Sequence, residues 1–351
     1  MNLTLFNKMT NEIGSEFWDI APAKSDNIYL LSGRTALDFI IRDVLKSHTI
    51  QSALLPSYCC HTMIEPFCRH GVTVRFYDVF PNSDGGLLAD VPDLLEHELF
   101  YGMTYFGFEN MKGVQIEKIR RNAEVIVEDC THSWLARNGF GMADYSYTSY
   151  RKWAGFTGIA KAEKYTGCFG ELPSKKNETY CAMRKRASAM KREYIVQGTG
   201  NKQEFLSLYG EAEELLDKDY AGYLPEAETI NEFMSFDWNK AKAIRRNNAA
   251  VLLEDLKAVK EVRLLYSELD EGDVPLFVPI VVPNDRKGLR GWLTAHSIYC
   301  PVHWPLSSYH EGISKRAKLL YDQELSLLCD QRYDETDMER IVEVIKEYYK
   351  R

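Results

Sequence analysis

The chain has 351 residues, 45% hydrophobic and 12% aromatic, enough to bury a large core and to build two domains. Its 43 basic and 51 acidic residues leave a formal charge of −8, which weighs against nucleic acid or an anionic membrane as the main partner. Met1–Met9 has no long apolar core or small-residue cleavage site and so does not read as a secretory signal, and no apolar run approaches the ~18 residues of a membrane span. The eight cysteines, none with a partner at zinc spacing, then read as reduced thiols in a cytoplasmic protein without a metal site.

Ile28–Leu31 is a short apolar strand that breaks at Ser32-Gly33, and Leu37, Ile40, Ile41, Val44 and Leu45 recur at helical spacing behind it. A second strand is expected at Ala53–Pro56, with a helix from about Cys60 to His70 that stops at Gly71. Val72–Val79 and Leu99–Phe106 read as further strands, and Gln115–Arg121 as a short helix before the β-branched run at Val125. Strands alternating with helices indicate a mostly parallel sheet, with ligands bound beyond the strands' carboxyl ends.

Past Lys152 the alternation fades. Arg184-Lys185-Arg186 and Lys191-Arg192 lie in a helical stretch and read as a solvated face, with contact to a substrate phosphate as the alternative. Phe205–Leu216 and Asn239–Val259 are further helices. Val262–Tyr266, Leu276–Val282 and Ile298–Val302 read as strands, with a helix near Lys287–His296. The last helix is expected to start at Thr336, with Thr336 and Glu339 as a capping box and Met338, Ile341, Val342 and Ile345 as its buried stripe. A boundary near residue 238 separates a large domain, 1–238 with an amino-terminal arm over 1–26, from a small one, 239–351.

Two short runs concentrate the chemistry. Val125–Asp129 delivers an acid at the end of an apolar strand, with His132 three residues on. Asp144–Ser149 delivers a hydroxyl, with Lys152 three residues on. An acid, a hydroxyl and a lysine at neighbouring strand ends suit pyridoxal phosphate: the acid for the ring nitrogen, the hydroxyl for the phosphate, the lysine for the Schiff base. A carboxylate behind Val125-Ile126-Val127 is costly to bury without a cation, and a protonated pyridine is one. Alone, Lys152 reads first as a lysine snorkelling to solvent, and Ser149 and Asp129 beside it turn the reading; the alternatives for Asp129 are a helix cap or an arginine partner, and for His132 a hydrogen-bonded core or surface histidine. Gly33, Arg34 and Thr35 open a helix where backbone N–H groups could cradle the phosphate.

Together these residues resemble the fold-type-I pyridoxal-phosphate enzymes, and in particular a less characterised branch of the DegT/DnrJ/EryC1/StrS sugar-aminotransferase family. The resemblance covers most of the chain: Ser32-Gly33-x-x-Ala36-Leu37, Leu55-Pro56-Ser57-Tyr58, Glu128-Asp129-x-x-His132, Ser149-Tyr-Arg-Lys152-Trp153, Cys300-Pro-Val-His303-Trp304-Pro305 and Leu325–Tyr333. It implies an α/β large domain with a mostly parallel, seven-stranded-type sheet flanked by helices, plus a smaller carboxyl-terminal α/β domain. It further implies a homodimer, glutamate as amino donor, a keto-sugar nucleotide as acceptor, and Lys152 as Schiff-base lysine and proton shuttle. His132 would contact the ring oxygen, and His303 and Trp304 would face the substrate. Three positions depart from the family pattern. Cys60 stands where many members stack an aromatic residue on the cofactor, leaving Tyr58 or His61 as substitutes. Ser149 precedes the lysine by three residues rather than five, and Gly158-Ile159-Ala160 replaces paired glycines. A cofactor-holding regulatory protein and another pyridoxal-phosphate chemistry are the alternatives; retention of Lys152 counts against the family's dehydratases, which carry histidine there.

Overall fold

The computed structural model describes residues 26–108, 113–136 and 141–351; the expected amino-terminal arm falls, save for Asp26, outside them. The first half alternates as β1 (Asp26–Leu30), α1 (Gly33–Ser47), β2 (Ser52–Pro56), α2 (His61–Arg69), β3 (Thr73–Pro81), β4 (Leu87–Asp90), β5 (Glu98–Met103), α3 (Ile116–Asn122), β6 (Val125–Asp129), β7 (Tyr145–Ser149) and β8 (Ala160–Lys164). These eight strands form one sheet in the order β1-β8-β7-β6-β5-β2-β3-β4. The five central strands β7, β6, β5, β2 and β3 run parallel, and β8, β1 and β4 join antiparallel. The expected seven-stranded sheet therefore gains an eighth, the short edge strand β4.

Apolar patterning explains most of this. Strands β2, β5, β6 and β7 are buried at every position, the signature of parallel strands covered on both faces. Helix α1 turns Ala36, Leu37, Ile40, Ile41 and Val44 inward, and its start is capped by the Ser32 hydroxyl, which accepts from the Thr35 N–H at 3.1 Å. Strand β8 escaped the sequence reading because Ala160-Lys-Ala-Glu-Lys164 carries neither β-branched nor aromatic residues. Its alanines are fully buried, and its antiparallel neighbours on both sides make it a strand.

Four helices follow: α4 (Glu178–Gln197), α5 (Lys202–Lys218), α6 (Ala227–Ser235) and α7 (Trp238–Leu256). The remainder adds β9 (Arg263–Leu264), β10 (Val278–Val281), α8 (Arg286–Ala295), α9 (Lys315–Gln323), β11 (Glu324–Leu327) and α10 (Glu335–Tyr349), with β11-β10-β9 as a small antiparallel sheet. Ile298–Val302 is not a strand. Pro301 has no N–H to give a ladder; the Ile298 N–H bonds back to the Leu293 carbonyl at 2.8 Å, and the segment's one backbone bond to a strand is from the Ser326 N–H to the Pro301 carbonyl at 3.1 Å. Helix α10 starts one residue earlier than expected, and its capping box is formed by Asp334 and Asp337 rather than Thr336 and Glu339. The carboxylate of Asp334 accepts from the Asp337 N–H, so the stronger acceptor upstream fixes the start. Met338, Ile341, Val342 and Ile345 form the buried stripe as expected. Residue 238 opens α7, and one continuous apolar core runs from the large sheet through α7 to β10, β11 and α10. Among the described residues no helix is long and apolar enough to cross a membrane.

Candidate active site

The parallel strands all point their carboxyl ends to one side, and the strand order reverses between β2 and β5, which opens a crevice at those ends. A cavity of about 280 Å³ lies there. Its wall combines the start of α1 (Ser32, Gly33, Arg34), the residues after β2 (Cys60, His61), the ends of β6 and β7 (Asp129, Thr131, Tyr147, Ser149), the turn Tyr150–Lys152, and Glu213 and Asp217 of α5. The structure thus brings Gly33, Arg34, Cys60, His61, Asp129, Ser149 and Lys152 to one cavity.

Asp129 is fully buried at the floor. Its Oδ2 accepts from the hydroxyls of Tyr147 (2.7 Å) and Tyr101 (2.9 Å), and its Oδ1 accepts from the Thr131 N–H (2.8 Å). Burial nevertheless pushes its pKa above the usual carboxylate value. The neutral donors only partly offset the loss of water, and among the described residues no cation is hydrogen-bonded to it. The Thr131 hydroxyl is a fourth neutral donor to this carboxylate, so what Asp129 lacks among the described residues is an opposite charge rather than a hydrogen-bond partner.

Lys152 reaches solvent through the cavity mouth, yet protein surrounds it closely enough to hold its pKa below the usual lysine value. Burial is the larger cause, and the guanidinium groups of Arg151 and Arg184 add to it. Among the described residues the amine has no hydrogen-bond or ion-pair partner. Arg151 is turned aside by a two-pronged ion pair with Glu213, which Arg184 also approaches at 3.5 Å. Burial would raise the Glu213 carboxyl, but these cations and Lys152 bring it down to about 2. Arg184, read from the sequence as part of a solvated face, therefore points inward. Behind Lys152, the Trp153 indole donates to the Thr131 carbonyl at 2.7 Å, and the Trp153 carbonyl accepts from Gln331 (2.8 Å) and Arg245 (3.1 Å). Arg245 of α7 and Gln331, which follows β11, thereby fix the segment that carries the amine.

The opposite end of the cavity suits an anion. A Cβ placed on Gly33 would lie 3.0 Å from the Ser149 Cβ and 3.6 Å from the Tyr147 ring, so only glycine lets α1 approach β7 this closely. Arg34 pairs with Asp217 at 2.5 Å and leaves its buried Nε without a partner. Thr35, by contrast, is buried behind the loop, its hydroxyl 2.8 Å from that of Ser32, and does not line the cavity.

Tyr58, His132, His303 and Trp304 form a neighbouring aromatic cluster outside the cavity wall. The Trp304 ring lies 5.2 Å from Tyr58 and 5.5 Å from His132, and His303 lies 5.4 Å from His132. His303 hydrogen-bonds Ser326 at 2.8 Å. Burial, with the charges of His303 and Lys152, holds His132 well below its usual pKa and so neutral. The sequence reading missed Tyr101, Tyr147, Thr131, Glu213 and Asp217. Tyr147 shares the inward face of β7 with Ser149, a period-2 signal that was available. Glu213 and Asp217 are one helical turn apart, which looks the same on any solvated helix. Among the described residues no cluster of ligating side chains could hold a metal ion.

No protein-family model matches the chain, and no curated protein is similar to it in sequence. Solved structures are similar in fold. The aminotransferase TlmJ from Streptoalloteichus hindustanus is 15% identical, with a TM-score of 0.64 over 92% of this chain and 85% of its own. A DegT/DnrJ/EryC1/StrS aminotransferase from Brucella abortus is 17% identical, with a TM-score of 0.58 over 92% and 85%. Spr1654 from Streptococcus pneumoniae, a candidate sugar aminotransferase solved in PLP and PMP forms, is 13% identical in both. Its PLP form covers 92% of this chain and 86% of its own with a TM-score of 0.59. The chain therefore has the fold of these fold-type-I aminotransferases.

Proposed function

We propose that this chain, built on the sugar-aminotransferase fold, is a pyridoxal-phosphate-dependent aminotransferase that moves an amino group from glutamate to a keto-sugar carried on a nucleotide. The observation that carries the reading is the pairing of Asp129 and Lys152 in one cavity: a buried carboxylate bonded only to neutral donors, and an unpartnered amine of lowered pKa. When bound, the cofactor supplies a cationic, electron-withdrawing ring and a carbonyl that an amine can engage covalently. Asp129 would hold its negative charge against the ring nitrogen and so gain the cation its burial lacks. Lys152 would provide the covalent amine and, once released, carry a proton to and from the donor's α-carbon; its lowered pKa favours the neutral form this needs. Ser149, Arg34 and the N–H groups at the start of α1 would hold the phosphate.

The aromatic cluster around Trp304 and His303 would meet the acceptor from the small-domain side. A second copy of the chain closing the cavity mouth over Lys152 would make the functional unit a homodimer. All eight cysteines are free, which suits action in the cytoplasm.

Adding glutamate to the cofactor-loaded protein should convert the bound pyridoxal form to the pyridoxamine form, seen as a shift of its visible absorbance to shorter wavelength. No change with any of several amino donors would overturn the transaminase reading in favour of a cofactor-holding role. Gly33→Ala is expected to weaken cofactor binding about tenfold or more, since the intruding Cβ separates α1 from Ser149 at an overpacking cost of ~1–3 kcal/mol. Titration of the apoprotein with pyridoxal phosphate checks this, and an unchanged Kd would place the phosphate elsewhere.

A further inference from the structure

The cavity holds a nucleophile that the proposed reaction does not use. Cys60 caps the start of the nine-residue helix α2, and its Sγ lies 3.8 Å from Nδ1 of the adjacent His61. Both side chains are half-buried and line the same cavity as Lys152, Arg34 and Ser149. A thiol beside an imidazole at a helix amino terminus is the arrangement that favours a thiolate. Burial alone would raise the Cys60 thiol, but hydrogen bonds from His61 and Thr62 outweigh it and bring it down to about 7. The other cysteines touching the region behave oppositely: burial pushes Cys59 and Cys130 far up.

We propose that the Cys60–His61 pair is a thiol-modification site that takes a low-molecular-weight disulfide and carries the resulting mixed disulfide inside the cavity that contains Lys152. The Cys60 thiolate attacks one sulfur of the disulfide, forming a new S–S bond as the old one breaks. The departing thiolate takes the proton that His61 holds from Cys60. Cys60 is oxidised, the departing sulfur is reduced, and a free thiol reverses the exchange. The adduct occupies the space beside Lys152 and Ser149, so modification and occupancy of the cavity exclude each other. Only this exclusion rests on the cofactor reading; the reactivity of the pair does not.

The test uses the full chain with the exposed Cys68 and Cys168 replaced by serine, incubated with glutathione disulfide across a pH series. Adduct at Cys60 is followed by intact and peptide mass. The rate should reach half its maximum near pH 7, and His61→Asn should move that midpoint up toward the ordinary thiol value of about 8.5. Cys60→Ser should abolish the adduct, and free glutathione should remove it from the parent protein. No adduct at saturating disulfide, or the same ordinary midpoint with and without His61, overturns the proposal. In a parallel arm pyridoxal phosphate is added first and its absorbance read. Bound cofactor should slow the adduct, and bound cofactor without protection overturns the shared space. Absence of any cofactor absorbance counts against the cofactor reading instead, while the pH midpoint still decides the thiol site.

Discussion

Lys152→Ala is expected to eliminate both the visible absorbance of bound pyridoxal phosphate and all detectable amino transfer, while the protein remains folded. The amine is the one group in the cavity that can both hold the cofactor covalently and carry a proton between donor and cofactor. Loss of general acid–base help alone costs about 10²–10⁴-fold, and the covalent attachment is lost with it. Stability should change little, within about 0.5 kcal/mol, because the Lys152 side chain makes no hydrogen bond or ion pair among the described residues. Absorbance spectroscopy, a coupled glutamate assay and thermal unfolding read the three outcomes. Turnover near that of the parent protein would remove Lys152 from the mechanism.

Asp129→Asn should be nearly as damaging by a different route. The amide keeps one oxygen acceptor for the Tyr101 and Tyr147 hydroxyls, so the buried network around it is mostly retained. What disappears is the negative charge at the cavity floor, and with it the force that keeps a ring nitrogen protonated. Removing a preorganised charge or donor of this kind lowers kcat by about 10²–10³-fold. The variant should still take up pyridoxal phosphate through Lys152, with a pH-dependent spectrum altered from the parent's. A parent-like kcat would mean that Asp129 serves only to tie β5, β6 and β7 together through its tyrosines.

Much of this architecture was legible in the sequence, for a simple reason. Strands β2, β5, β6 and β7 are parallel and buried on both faces, so their apolar runs are dense, and the helices between them carry clear 3.6-residue patterns. Asp129 and Ser149 were recognisable because each polar group ends such a run. Strand β8 was not, since its alanines become strand residues only when β1 and β7 flank them. The Pro301 segment and the α10 cap failed through local backbone chemistry: a missing N–H in one, a better acceptor two residues upstream in the other.

The site was legible where its residues cluster in sequence and opaque where they converge from afar. Gly33, Arg34, Cys60, His61, Asp129, Ser149 and Lys152 meet at one cavity. Thr35, Tyr58, His132, His303 and Trp304 do not line it: Thr35 is buried in the first turn of α1 against Ser32, and the others pack in the neighbouring aromatic cluster. Motif position could not distinguish a side chain aimed into the crevice from one aimed a turn away. Glu213 and Asp217, which hold Arg151 and Arg34 in place, come from α5, a helix that no periodicity connects to Lys152.

The central claim is that one amine, at position 152, takes the cofactor opposite the carboxylate of Asp129. Loading the protein with pyridoxal phosphate, reducing with borohydride and mapping the added pyridoxyl mass by peptide sequencing tests it directly. The mass should be found on Lys152 and on no other lysine; a stable adduct on a different lysine, or none on a protein shown to be folded, would contradict it.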